Sequence, residues 1–96
     1  MKGERFDNVW DALADTPEEA ANLTVRSDLM FKIEDIIERN GWSQKEAAEH
    51  CGVSVPRINA LLKGHIDKFS LDALVNIAAH LGQRISIELS DRQKAA

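Results

Sequence analysis

The sequence has no tyrosine, a single cysteine and two prolines in 96 residues. Each scarcity excludes something. Cys51 has no partner for an internal disulfide, which rules out a small disulfide-stapled scaffold, and a reduced, cytoplasmic setting is expected. No apolar run approaches the roughly 20 residues that cross a membrane, and the opening MKGERFDNVW lacks the apolar stretch of a signal peptide, so no membrane partner is expected. Catalytic signatures are missing too: there is no phosphate-cradling glycine loop, no HExxH and no GxSxG. His50, Cys51 and His65 match no common zinc spacing. Neither enzymatic activity nor a bound metal or cofactor is expected.

What is present is the composition of a globular chain, 44% hydrophobic and 29% charged. A chain this short forms one domain. It buries only about 60–65% of its unfolded surface, so contact with a second copy would add to its stability. The formal charge of −4 is concentrated at one end. Residues 1–23 hold Glu4, Asp7, Asp11, Asp15, Glu18 and Glu19 against Lys2 and Arg5, whereas residues 24–96 hold ten acids and ten bases. Within residues 43–68, Lys45, Arg57, Lys63 and Lys68 outweigh Glu46, Glu49 and Asp67, and His50 and His65 add positive charge when protonated.

Apolar spacing predicts mostly helices. Phe6, Val9, Trp10 and Leu13 fall on one face of a short N-terminal helix, and Thr16, Pro17 and Glu19 read as cap, first turn and capping-box partner of another. A stronger helix is expected over residues 27–40, with Leu29, Met30, Ile33, Ile36 and Ile37 as its stripe and Gly41 as its stop. Ser43 and Glu46 form a second capping box before a helix over residues 44–51. Ser54 caps a helix that buries Ile58, Leu61 and Leu62 and ends near Lys63 and Gly64. HIDKF reads as a loop, after which Ser70 caps the last helix, with Phe69 and Leu74 as its hydrophobic staple. The period then changes: RISIEL alternates Ile85, Ile87 and Leu89 with polar residues, the pattern of a one-sided β-strand. No second strand is evident, and a lone strand leaves its backbone groups unpaired. The same strand from a two-fold-related copy is the simplest remedy, and a homodimer is predicted on that ground.

Residues 43–64, SQKEAAEHCGVSVPRINALLKG, carry the most specific pattern. Ala47 and Ala48 let a second helix cross closely, Ala47 being the one expected to be buried. Gly52 stands where a tight turn needs positive φ, Val53 plugs the crossing, and Ile58 and Leu61 anchor the second helix. Two helices joined by such a turn match the DNA-binding helix-turn-helix.

The segment resembles the helix-turn-helix of the phage-repressor (XRE) family: Gln at the first helix start, Ala in its middle, Gly in the turn, Ser capping the second helix and Gly after it. The whole chain resembles, more narrowly, the HigA-like antitoxins of type II toxin–antitoxin operons, through NVWDAL, the motif itself, and LLKGHIDKFSLDALVNIAAHLGQRISIEL. The resemblance implies an all-α, five-helix phage-repressor-like helix-turn-helix domain, with one C-terminal β-strand pairing across a homodimer. It also implies a transcriptional repressor on palindromic double-stranded operator DNA, half-sites about 34 Å apart. A basic RNA-cleaving toxin is the implied second partner, held inactive while the operon represses itself. Three regions follow: an acidic N-terminal arm over residues 1–23, the DNA-binding domain over 24–83, and a dimerisation strand and tail over 84–96.

Carried onto this chain, the resemblance gives Gln44 a role bracing the DNA backbone. Ser54 and the helix start behind it meet phosphate, Val55 touches a thymine methyl, and Arg57 grips a guanine edge. Asn59 and Lys63 are secondary polar contacts, Lys63 to phosphate. Val55, Pro56 and Ala60 depart from the polar residues usual at these positions, so shape is expected to contribute to recognition. The N-terminal apolar residues fit either self-docking or a partner, and the acidic surplus of the arm suits a basic toxin. A stand-alone regulator without a toxin, and a protein-interaction module that has lost DNA binding, are the alternatives.

Overall fold

The longest apolar stripe in the chain organises everything else. In the computed structural model, which describes residues 10 and 13–91, it belongs to a 24-residue helix, α1 (Pro17–Asn40). Its start is fixed locally. The Thr16 hydroxyl accepts from the Glu19 amide (3.0 Å), and Pro17 occupies the first turn, where its missing N–H costs nothing. The Glu19 carboxylate reaches one residue further back than in a standard capping box and accepts from the Asp15 amide (2.9 Å). At the other end Gly41 adopts φ 66°, and its amide turns back to Glu38 O.

This single helix replaces the two expected over residues 16–23 and 27–40. Nothing between Leu23 and Ser27 breaks a helix. Thr24 and Val25 lower helix propensity by only about 0.5 kcal/mol each. Thr24 Oγ1 also donates back to Ala20 O (2.8 Å), and Arg26 is fastened to the far side of the domain. Propensity loses to packing, and Ser27 sits in mid-helix without capping anything. The described residues hold four α-helices in full, together with helical Trp10 and Leu13 before them.

Three further helices complete one core with α1. Helix α2 (Gln44–Cys51) opens with a complete capping box: Ser43 Oγ accepts from the Glu46 amide (3.1 Å), and Glu46 Oε1 accepts from the Ser43 amide (2.9 Å). Helix α3 (Val55–Leu62) follows a three-residue turn in which Gly52 takes φ 72°. A single 3₁₀ turn (Ile66–Lys68) occupies the expected loop and leads to α4 (Leu71–His80). Ser70 caps α4 through the Ala73 amide (3.1 Å), with the staple pair Phe69 and Leu74 both buried.

The core joins Met30, Ile33 and Ile37 of α1 to Ala47, Ala48 and Cys51 of α2, Ile58 and Leu61 of α3, Phe69, and Leu74 and Ile77 of α4. Both alanines of α2 are buried, not Ala47 alone, because α2 is flanked by α3 on one side and α4 on another. Full burial of side chains such as Ile33 and Ile58 is worth about 1.5–3 kcal/mol each. Leu62 and Ile36 remain half-buried at the rim. Burial pushes the Cys51 thiol above its ordinary pKa, as befits a small apolar plug.

After Gln83, whose amide bonds Ala78 O (3.0 Å), the chain runs to Asp91 without forming a helix or a strand. The predicted RISIEL strand finds no pairing partner among the described residues. Ile85 rests partly on the domain, whereas Ile87 and Leu89 are 84% and 93% exposed. The segment edges an apolar groove of about 550 Å³, floored by Val25, Leu29 and Ile36 of α1 and by Leu71 and Val75 of α4.

At the other end, Phe6 and Val9 of the expected N-terminal helix lie outside the described residues. Trp10 and Leu13 are helical, and the Ala14 amide bonds Trp10 O (2.9 Å). Trp10 is half-buried beside Ser27, Met30 and Phe31 of α1 and Ile66, which is self-docking, while Leu13 is 69% exposed.

Candidate nucleic-acid interface

The turn between α2 and α3 sets their crossing, and Gly52 is required there twice over. Its φ of 72° is left-handed, and a Cβ at this position would lie 2.8 Å from the Cε1 of His80, whose ring covers the turn from the last residue of α4. The Gly52 and Val53 amides both return to Ala48 O, at 2.9 and 3.1 Å. These bonds satisfy the end of α2 and release the chain at an angle into α3.

Helix α3 buries Ile58 (0% exposed) and Leu61 (2%) against the core. At about 100° per residue, the direction opposite these anchors falls on Pro56 and Lys63, with Asn59 and Ala60 to either side. Pro56 and Lys63 are exposed, and Asn59 and Ala60 are half-exposed. Val55 and Arg57 occupy opposite flanks, each about 100° from Pro56. Pro56 thus belongs to the centre of the outer face, although by residue type it departs from the polar pattern usual at that position.

The two flanks behave differently. Val55 is 41% exposed. Arg57 folds back onto the domain: its Nη1 donates to Lys68 O (2.8 Å), and its guanidinium lies 4.2 Å from the centroid of the Phe69 ring. The structure holds Arg57 on its own domain, and a grip on a guanine edge, as the resemblance implies, would require it to leave both contacts. A guanidinium held by a carbonyl and a ring of its own domain does not stand with Asn59 and Lys63 on the outer face. The signal was available in the sequence, since Arg57 sits about 40° from the buried Leu61 on the helical wheel against about 140° for Pro56.

The remaining candidates are grouped at the ends of the two helices. Gln44 is the exposed first residue of α2. Ser54 caps α3, its Oγ accepting from the Arg57 amide (3.3 Å), while the Ile58 amide bonds Ser54 O (3.1 Å). Pro56 has no N–H, so Val55 keeps the one backbone donor of this first turn that stays open to an anion. Lys63 closes α3 at the other end, exposed, and His65 and Lys68 continue the basic edge onto the 3₁₀ turn. No acidic residue occurs from Val53 through Ile66. The face is therefore weakly positive although the chain as a whole is acidic.

Two contacts were not anticipated. Arg26 of α1 grips the same turn as Arg57 from the other side, its Nη1 donating to Ile66 O (3.2 Å) and Phe69 O (3.0 Å). Trp42 stacks flat on His50, ring centroids 3.9 Å apart, which fixes the loop that leads into Gln44 to the body of α2. With Cys51 enclosed in the core and His50 occupied by Trp42, these two residues serve packing, and among the described residues no cluster of three or more His, Cys, Asp or Glu is disposed to hold a metal ion. No helix among the described residues is long and apolar enough to cross a membrane.

A search of curated proteins finds no relative of this chain. A family described as a helix-turn-helix domain matches residues 12–90. The α2–turn–α3 unit, with its left-handed glycine, capped second helix and solvent-facing outer side, is what that description names: the chain belongs to this helix-turn-helix family, whose domain type implies a DNA-binding regulator.

Proposed function

We propose that the protein is a sequence-specific DNA-binding repressor that acts as a homodimer, and that it is the antitoxin of a two-gene toxin–antitoxin module. One observation carries the DNA reading: α3 is anchored from within by Ile58 and Leu61 while Pro56, Asn59 and Lys63 face solvent on the opposite side. An eight-residue helix held in this way can enter a major groove without rearranging the core. Val55 and Pro56 would make apolar contact with thymine methyl groups. Asn59 would offer its amide to a base edge, and Gln44, Ser54, the Val55 amide and Lys63 would meet phosphates. Few side chains here carry a base code, so part of the selectivity would come from the shape of the duplex.

The dimer is supported by the segment over residues 84–91. Its backbone groups have no backbone partner among the described residues, and Ile87 and Leu89 are too exposed for a chain that remains alone. Antiparallel pairing with a second copy would satisfy both. The antitoxin role rests on the resemblance in sequence and on the acidic arm, whose charge would complement an RNA-handling toxin.

The test is fluorescence anisotropy of the full chain on a duplex taken from upstream of its own gene, against a scrambled duplex, between 50 and 200 mM salt. A dimer that neutralises six or more phosphates should lose about a thousandfold in affinity over this range. No duplex affinity at the lowest salt would reject the DNA reading. Sizing of a chain truncated before residue 84 reports on the dimer: if it keeps the mass of the intact protein, the strand is not the interface. Co-expression with the product of the adjacent gene tests the antitoxin role, and full toxicity despite co-expression would remove it.

A further inference from the structure

We propose that Arg57 is a positioning residue for the DNA-facing side of α3, acting through the turn at residues 65–69 and not by touching DNA. The inference rests on the DNA-binding reading above. The first buried side chain of α3 is Ile58; Val55 and Pro56, which precede it, are exposed. Apart from its backbone, the leading turn of α3 is held to the domain by Arg57. That turn matters most, because it is the N-terminal residues of a recognition helix that enter the groove.

The contact is well suited to the task. Nη1 bonds the carbonyl of Lys68, while the guanidinium face lies on the ring of the next residue, Phe69. One interaction fixes distance and the other fixes tilt, because a planar guanidinium offers in-plane donors and a flat face at right angles to them. The anchor is itself rigid. Phe69 is 1% exposed and begins the staple of α4, and Arg26 of α1 holds the carbonyls of Ile66 and Phe69. Two arginines from different helices thus clamp one short turn, and α3 takes its pitch from α1 and α4 together. Reaching a base edge would require Arg57 to leave both contacts.

A positioning role has its own signature. If removal of the clamp lowers the fraction of molecules with α3 correctly set, apparent affinity falls by that fraction, while base preferences and salt slope stay as they were. The experiment compares wild type, Arg57→Ala, Arg57→Lys, Phe69→Leu and the double variant Arg57→Ala/Phe69→Leu. All are full chains, shown by melting to be folded at the assay temperature. The duplex is the upstream one, together with versions substituted one base pair at a time. Arg57→Ala should bind about tenfold more weakly, the size of one charge-assisted hydrogen bond, with every substitution penalty and the salt slope retained. Arg57→Lys, which keeps the charge but not the flat fork, should recover only part of this. Phe69→Leu, which alters a buried ring that no duplex can reach, should lower affinity in the same uniform way and combine less than additively with Arg57→Ala.

Three results would overturn the proposal: a salt slope smaller by about one, which marks a phosphate contact; loss of preference at one base pair, which marks a base contact; or unchanged affinity in a folded variant. Failure of the DNA reading would show separately, as a wild-type chain without salt-sensitive duplex affinity.

Discussion

Replacing Gly52 by alanine probes the joint of the helix-turn-helix with a cost that can be divided. A left-handed backbone costs a residue with a Cβ about 1–2 kcal/mol. Loss of glycine's freedom in the unfolded chain returns about 0.4–1 kcal/mol. Gly41, at φ 66° with nothing within 4 Å of its notional Cβ, should show only these two effects and a net loss of about 0.5–1.5 kcal/mol. Gly52→Ala carries a further burden, because the new methyl would meet the His80 ring at 2.8–2.9 Å. His80 is exposed and can turn away, so the added cost is that of an unfavourable rotamer, about 0.5–1.5 kcal/mol, and not that of a crushed core. The total is about 1–3 kcal/mol, or a fall in Tm of about 4–8 °C for each kcal/mol in a domain of this size. Urea unfolding of Gly41→Ala, Gly52→Ala, His80→Ala and Gly52→Ala/His80→Ala measures each part. The double variant should recover the rotamer component, leaving Gly52→Ala in that background close to Gly41→Ala. If the two glycine variants were equally destabilised and His80→Ala made no difference, His80 would not be covering the turn and the reasoning would fail.

Other expected outcomes are more direct. Ser43→Ala removes the hydroxyl half of a capping box, leaving the residue 43 amide bonded to Glu46, and should cost about 1 kcal/mol; Ser54→Ala loses a single long cap bond of 3.3 Å and should cost less, with both read by urea unfolding. Cys51 should resist thiol reagents in the native protein and react once urea exposes it. Because burial raises its pKa, the thiol's contribution to stability is complete below the unfolded value near 8.5 and is lost as pH climbs toward the folded one, so stability should decline at alkaline pH and Cys51→Ala should flatten the decline. Burial, and then the neighbouring Glu38, raise the carboxyl of Glu34 above the ordinary glutamate range. Its protonated form is favoured in the fold, so Glu34→Gln should be neutral or slightly stabilising at pH 7, and the advantage should vanish in acid, where Glu34 is already neutral.

The local signals in this sequence were decisive wherever the physics was local. Ser43 with Glu46, Ser54, Ser70, and the glycines at 41 and 52 each act on backbone groups within a few residues, and each stands where its spacing predicts. The apolar anchors Ile33, Ile37, Ile58, Leu61 and Leu74 follow from helical period alone, since a period of 3.6 fixes which side of each helix must leave water. The motif that carries the functional reading was legible for the same reason.

What tertiary structure decided were the outcomes that depend on residues far apart in the chain. Whether residues 17–40 form one helix or two turned on contacts such as Arg26 with residues forty or more positions away, which outweigh the weak propensities at Thr24 and Val25. Arg57 invited a base-reading role by its chemistry, but a carbonyl and a ring supplied by residues 68 and 69 took its guanidinium. The alternation of RISIEL describes a preference for pairing, and the described residues offer no neighbour to pair with. Capping and amphipathic period are set by the covalent order of residues, whereas the direction of a long side chain and the fate of an edge are set by whatever the fold places beside them.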